Sequence, residues 1–119
     1  MAFETRYEAH YGDRVVRCFA DRPKGVDRLL LDAAARKPNG EALVDGDRPF
    51  TYSEFDRAVD TVAAGLAGRR IAPGDRVALL VVNRAEFAFA LKGELRGGAV
   101  VLPLNTREQK PEIEFNITN

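Results

Sequence analysis

Few side chains in this chain have the type and spacing to do chemistry. Cys18 is the one cysteine and could be a reactive thiol, but no neighbouring pattern supports that, and it reads as a small, buried or half-buried hydrophobe. His10, between Ala9 and Tyr11, could be a ligand or a base; with no Cys, Asp or second His nearby it reads as a surface or packing residue. Asp45 and Asp47 flank Gly46. Paired carboxylates could work as acid and base or hold a cation, yet a tight turn accounts for both. Arg69-Arg70 could meet a phosphate, although two basic residues at a helix end are ordinarily solvated. Gly97-Gly98 precedes a strand instead of joining a strand to a helix, so it is not a phosphate cradle of the helix N-terminal type; helix termination and close backbone approach are its expected roles. Asn116-Ile117-Thr118 matches a glycosylation sequon, which only a secreted protein would use. The nucleotide-binding, zinc-protease, paired-cysteine and serine-hydrolase motifs are absent. No residue is therefore assigned a catalytic, cofactor-binding or metal-binding role.

Composition narrows the class. Apolar residues make up 45% and charged residues 30% of 119, which suits one soluble α/β domain and argues against disorder. The formal net charge is zero, and each half of the chain is balanced, with nine acids and nine bases in residues 1–50. Nucleic acid and anionic membranes are poor first partners for such a chain. A single cysteine forbids an intrachain disulfide and fits a reducing, cytoplasmic setting. No apolar run approaches the ~20 residues that cross a bilayer, and the amino terminus lacks the apolar core of a secretory signal.

The elements that must position these residues follow from periodicity. Residues 1–25 show no clean period and read as an irregular lead-in closed by Pro23 and Gly25. Val26, Leu29, Leu30, Ala33 and Ala34 line one face of a short helix over residues 26–37, stopped by Pro38. Residues 41–44 and 48–51 flank Asp45-Gly46, a hairpin signal in which both central turn positions take positive φ. Thr51 and Glu54 have the spacing of a capping box. The stripe of Phe55, Ala58, Val59, Val62, Ala63 and Leu66 then predicts a surface helix ending near Gly68. After the Pro73-Gly74-Asp75 turn, Val77 to Val82 reads as a strand covered on both faces. Asn83 is placed to cap a helix carrying Phe87, Ala90, Leu91 and Leu95 on its stripe, with Phe89 free to face elsewhere. Gly97-Gly98 ends that helix, and residues 99–104 form a second buried strand until Pro103 interrupts its pairing. Strand, helix and strand make a βαβ unit with a right-handed crossover in a parallel or mixed sheet. In the tail, Ile113, Phe115 and Ile117 alternate like a strand, while Pro111 suits a first helical turn.

These pieces, in this order, resemble the amino-terminal part of an AMP-forming, adenylate-forming enzyme, the superfamily of acyl-CoA synthetases, peptide-synthetase adenylation domains and luciferases. "EALVDGDRPFTYSEFDRAVDTVAAGL" is similar to the family's hairpin and first core motif, with Phe50 and Phe55 where leucines are usual. "LRGGAVVLPLN", Leu95 to Asn105, resembles its second core motif. Asn105 leans toward the acyl-CoA synthetase branch, and the resemblance implies a helix in the tail.

The implied fold is a partial N-terminal subdomain, with residues 26–119 an incomplete segment of the large AMP-binding domain. The implied activity is a ligase that uses ATP, Mg2+ and coenzyme A to activate a small carboxylic acid, in fatty acid or aromatic acid metabolism. The family's phosphate loop, ribose-binding aspartate and mobile-domain lysine lie outside these residues, so no catalytic residue is carried over, and neither activity nor tight binding of a cofactor is expected of this segment alone. Because the chain begins with methionine and full-length members are several times longer, the rest is expected downstream. A truncated product, a proteolytic remnant or a deliberately shortened chain would each fit. Open strand edges would then favour self-association or domain swapping. The alternatives are a non-catalytic interaction module using the same half-fold and an unrelated small α/β binding domain.

Overall fold

A computed structural model describes residues 3–119. Hydrogen bonding and apolar burial divide them into β1 (Thr5–His10), β2 (Arg14–Phe19), α1 (Val26–Arg36), β3 (Glu41–Asp45), β4 (Arg48–Thr51), α2 (Tyr52–Gly68), β5 (Arg76–Leu79), α3 (Ala85–Arg96), β6 (Val100–Pro103) and α4 (Lys110–Thr118). The strands form three two-stranded sheets: antiparallel β1–β2, antiparallel β3–β4 and parallel β5–β6.

The long helix α2 starts where Thr51 and Glu54 place it. The Glu54 N–H donates to the Thr51 hydroxyl at 3.2 Å, and the Thr51 N–H donates to the Glu54 carboxylate at 2.7 Å. The bond from the Thr51 backbone, then that from its hydroxyl, lowers the Glu54 pKa. Along α2 the apolar stripe meets α3, and Val59 is completely buried at the crossing. The helices approach so closely there because α3 presents Gly93; a Cβ at that position would lie 2.5 Å from the Val62 side chain. Phe89 packs edge-on against Phe50 (centroids 5.1 Å apart) and tilted against Phe55 (5.4 Å), so the two aromatic substitutions in the first core motif meet a third ring from α3.

Gly97 and Gly98 end α3 as a Schellman motif. The Ala99 N–H donates to the Glu94 carbonyl and the Gly98 N–H to the Leu95 carbonyl, with Gly98 at φ +80°. A side chain on Gly98 would also press on Pro73, 3.0 Å away. Chain reversal and close approach thus both require glycine.

Several expectations are corrected. Residues 1–25 are not irregular throughout, since β1 and β2 pair from Thr5↔Phe19 to His10↔Arg14. In β1 the alternation is of Arg6, Glu8 and His10, β2 has none, and both strands are largely exposed, so no hydrophobic period results. In the β3–β4 hairpin the closing pair is Asp45↔Arg48, and Gly46-Asp47 is the centre. Gly46 has φ +60° and Asp47 is not in the positive-φ region, the pattern of a II′ turn, so one central position and not both takes positive φ. Helix α3 is capped at Arg84, not Asn83, without a local side-chain cap. Strand β5 stops at Leu79 because its partner Leu79↔Pro103 pair is the last that the proline permits, apart from one bond from the Leu104 N–H to the Leu79 carbonyl.

Helix α3 packs on both strands of the parallel pair, and Leu79, Ala99 and Leu104 are buried. The other face is not covered as the apolar runs suggested, for Val100 is 51% exposed. The tail is helical. Gln109 and Glu112 form a reciprocal capping box and Pro111 sits in the first turn. Among the described residues no third strand extends the β5–β6 pair, and Ile113, Phe115 and Ile117 lie on the helix instead.

Candidate functional site

The side chains singled out for their chemistry fall into two groups: those absorbed by turns, caps and clamps, and those that converge. Asp45 and Asp47 do not face each other as an acid/base pair. Asp47 is exposed at the turn tip. Asp45 accepts the Ala85 N–H at 3.1 Å and pairs with Arg48, so it is the missing N-terminal cap of α3, reaching it from the hairpin. The bond from the Ala85 backbone, then that from Arg48, lowers its pKa. Arg48 also pairs with Glu86 at 3.2 Å, and Glu86 with Arg84 at 2.7 Å, which ties the hairpin to the start of α3.

Arg69 and Arg70 are exposed at the end of α2. Arg70 lies at φ +65°, in the place a glycine would take, while the Ile71 N–H donates back to the Leu66 carbonyl. Asn116 of the sequon is on α4, where its amide donates to Glu108 at 3.0 Å. Asn105 accepts the Arg107 N–H at 3.0 Å. An aspartate oxygen would serve that turn equally, so its role here is local.

The basic residue of the second core motif, Arg96, went unassigned in the sequence. It reaches from the end of α3 to Asp27 on α1 (3.0 Å) and to Asp56 and Asp60 on α2 (both 2.7 Å). Burial opposes its charge, but hydrogen bonds to Asp27, Asp60 and Asp56 outweigh it and raise its pKa. One guanidinium thereby fastens three helices. Nearby, Glu94 is 4% exposed, its Oε2 has no hydrogen-bond partner, and burial raises its pKa.

The residues that do converge are in the amino-terminal hairpin. Glu8 and His10 sit on one face of β1, and the pairing Arg6↔Cys18 puts Cys18 on the same face of β2. His10 Nε2 is 3.0 Å from Glu8 Oε2 and 3.6 Å from Cys18 Sγ. Arg22 and Arg6 both donate to Glu8 at 2.6 Å, and with the bond to His10 they bring its pKa down to about 2. The alternating Glu8 and His10 were a usable signal, but Cys18 joins them only through the register of the hairpin.

A cleft of about 720 Å³ lies between the segment after β2 and α1, with Arg22, Lys24, Arg28 and Asp32 among its lining. Its charges are mixed, and Arg28 is spent on Asp32 at 2.9 Å. ATP, Mg2+ and coenzyme A find no matching cradle among the described residues. Gly98 is packed against Pro73, Arg69 and Arg70 are exposed at the end of α2, and the Asp45 carboxylate is taken up by Arg48 and Ala85.

Comparison with known proteins agrees with this arrangement. The model of the family described as AMP-binding enzyme matches residues 30–119. A salicyl-AMP ligase / salicyl-S-ArCP synthetase of Mycobacterium tuberculosis is 46% identical over 80 residues, 63% of this chain and 14% of that protein. A long-chain-fatty-acid–CoA ligase of the same organism is 35% identical over 98 residues, 81% of this chain and 20% of that protein. Among solved structures, the N-terminal subdomain of Klebsiella oxytoca NpsA, in complex with 3-hydroxybenzoyl-AMSN, has a TM-score of 0.78 at 25% identity, covering 81% of this chain and 24% of that one. The N-terminal domain of FACL13 from Mycobacterium tuberculosis gives 0.76 at 35% identity, covering 80% and 25%. The chain thus spans a fifth or less of these two curated relatives. It has the α/β fold of the N-terminal subdomain of adenylate-forming enzymes, and it belongs to the AMP-binding enzyme family.

Proposed function

We propose that this chain is the scaffold-forming N-terminal portion of an acid–thiol ligase. In the whole enzyme a small carboxylic acid, of fatty or aromatic type, attacks the α-phosphate of ATP-Mg, giving an acyl-adenylate and pyrophosphate. A thiol then attacks the acyl carbon and displaces AMP, giving a thioester. The observation that carries this reading is the likeness to solved N-terminal subdomains at TM-scores of 0.76–0.78, in a chain whose motif residues Thr51, Glu54 and Arg96 cap and clamp helices. On this reading the chain supplies no catalytic, nucleotide-binding or Mg2+-binding residue to the reaction. It works in the cytoplasm, with small molecules and not nucleic acid as partners.

Coenzyme A is the acceptor thiol we favour. A carrier-protein thiol is the second reading, favoured by the 46% identity to a relative whose name includes salicyl-S-ArCP synthetase. Asn105 does not discriminate, because its contact is one an aspartate would also make.

A chimera tests the scaffold role. This chain replaces the corresponding segment of the M. tuberculosis long-chain-fatty-acid–CoA ligase, and acyl-adenylate formation is followed by ATP–pyrophosphate exchange. The expected result is exchange in the chimera and none in the isolated chain. A folded chimera that binds ATP without exchange, or exchange by the isolated chain, overturns the reading. The open edges of β5 and β6 would pair with further sequence in the whole enzyme. The isolated chain is therefore expected to associate as its concentration rises, and light scattering that shows a monomer throughout would count against the proposal.

A further inference from the structure

The cluster on the amino-terminal hairpin has a geometry that the ligase chemistry does not use. A thiol–imidazole–carboxylate relay needs both ring nitrogens, one toward the nucleophile and one toward the acid. Here a single nitrogen, His10 Nε2, faces both Cys18 Sγ and Glu8 Oε2, at 3.6 and 3.0 Å. One nitrogen cannot pass a proton between them in that way. Its lone pair, the thiolate and the carboxylate can instead share one cation.

We propose that Glu8, His10 and Cys18 form a binding site for a borderline-soft divalent metal ion of the zinc type. The three ligand atoms lie within 4.8 Å of one another. Around tetrahedral zinc, bond lengths of about 2.0–2.3 Å separate neighbouring ligand atoms by roughly 3.2–3.6 Å. The two His10 distances are close to that spacing. The remaining pair, Glu8 and Cys18, lies within 4.8 Å, and the part-exposed side chains of a hairpin can adjust to the ion. The donor set of one sulfur, one nitrogen and one oxygen selects zinc or cobalt over magnesium or calcium, which prefer oxygen alone. With the thiol deprotonated, the ligands carry two negative charges and neutralise the ion. A fourth position is left to water.

A competing cation already pairs with the Glu8 carboxylate. Arg22 donates to Glu8 Oε2 at 2.6 Å and to the Phe19 carbonyl at 3.3 Å, so it must leave the carboxylate oxygen when metal arrives. Arg6 holds the other oxygen, Oε1, and can remain. The site therefore makes an unusual demand: removing a basic residue should tighten it.

Cobalt(II) titration of the reduced 119-residue chain, read by the thiolate charge-transfer band and by calorimetry, tests the assignment. The expected result is one ion per chain, displaced by zinc. Cys18→Ser should abolish the band, and His10→Gln and Glu8→Gln should each weaken binding by more than about tenfold, since even the loss of an outer-shell partner costs that much. Arg22→Gln should tighten it by up to about fivefold, because one exposed ion pair no longer competes. Because β1 and β2 pack chiefly on each other, the helical circular dichroism of every variant should match the parent. A variant that loses the helical signal counts against this placement of the cluster. The proposal is overturned if no band forms, if the band survives Cys18→Ser, if His10→Gln binds as tightly as the parent, or if one ion bridges two chains.

Discussion

Replacing Arg96 by methionine removes the guanidinium that fastens α1, α2 and α3 while keeping a side chain of similar length, so lost packing adds little. The size of the effect follows from exposure. Asp60 is 65% exposed, and its pair with Arg96 adds no more than a surface bridge, about 0–1 kcal/mol. Arg96, Asp27 and Asp56 are only 13%, 19% and 26% exposed. Breaking a fully buried pair costs about 3–5 kcal/mol, chiefly because the partner charge is left without compensation. Some water reaches this cluster, so the lower end of that range applies, and the expected loss is about 3 kcal/mol. For a domain of this size that corresponds to a fall in Tm of roughly 10–20 °C. Urea unfolding followed by circular dichroism measures it, provided the denaturant slope is unchanged. Arg96→Lys should recover only part of the loss, because a point charge cannot reproduce a fork that meets two helices at once. The decisive variant is Arg96→Met combined with Asp56→Asn. If orphaned carboxylates cause the instability, removing one of them restores some stability, and the two changes are strongly non-additive. A loss below about 1 kcal/mol for Arg96→Met, or simple additivity in the double variant, would refute the clamp.

Other consequences are open to the same measurements. Gly93→Ala should destabilise by about 1–2 kcal/mol, because overpacking against Val62 outweighs the gain in helix propensity; pairing it with Val62→Ala should return most of that loss. Arg70→Gly should stabilise by roughly 0.5–1 kcal/mol, since a non-glycine residue at φ +65° is strained, and no gain in Tm would show that the position is relaxed. Glu94→Leu should stabilise at neutral pH by about 1–3 kcal/mol by removing a buried oxygen without a partner. The pH dependence of Glu94→Gln has a definite sign. A folded pKa raised above the ordinary 4.5 makes the contribution of Glu94 most favourable below that value, and it is lost as pH rises through the folded pKa. The parent should therefore lose stability relative to Glu94→Gln from about pH 4.5 upward, whereas the lowered groups Glu8, Asp45, Glu54 and Glu86 act oppositely and are common to both proteins. A difference that stays flat across that range would remove burial as the cause.

What could be read from the sequence was whatever neighbours in the chain decide. The Thr51–Glu54 box, the glycine pair after Arg96 and the apolar stripe of α2 need only spacings of a few residues, and each lies where expected. The tail exposes the limit of periodicity. Its apolar residues alternate like a strand, but the capping box of Gln109 and Glu112 and Pro111 in the first turn set a helix, on which Ile113 and Ile117 share a face at i, i+4. Longer-range pairings left no mark. Asp45 looked like half of an acidic pair, but its partner is a backbone N–H 40 residues away. Arg96 looked like one more basic residue in a motif, but its aspartates lie 36 to 69 residues earlier. Reactivity in the sequence was thus a poor guide to convergence in space. The residues with the most suggestive neighbours, Asp45 and Asp47, are a cap and a turn tip. The two that seemed most isolated, His10 and Cys18, stand 3.6 Å apart. Strand register explains the difference. Once the turn at residues 11–13 closes His10 onto Arg14, every second residue of β2 is assigned to a face, and Cys18 has no choice but the face that carries Glu8 and His10.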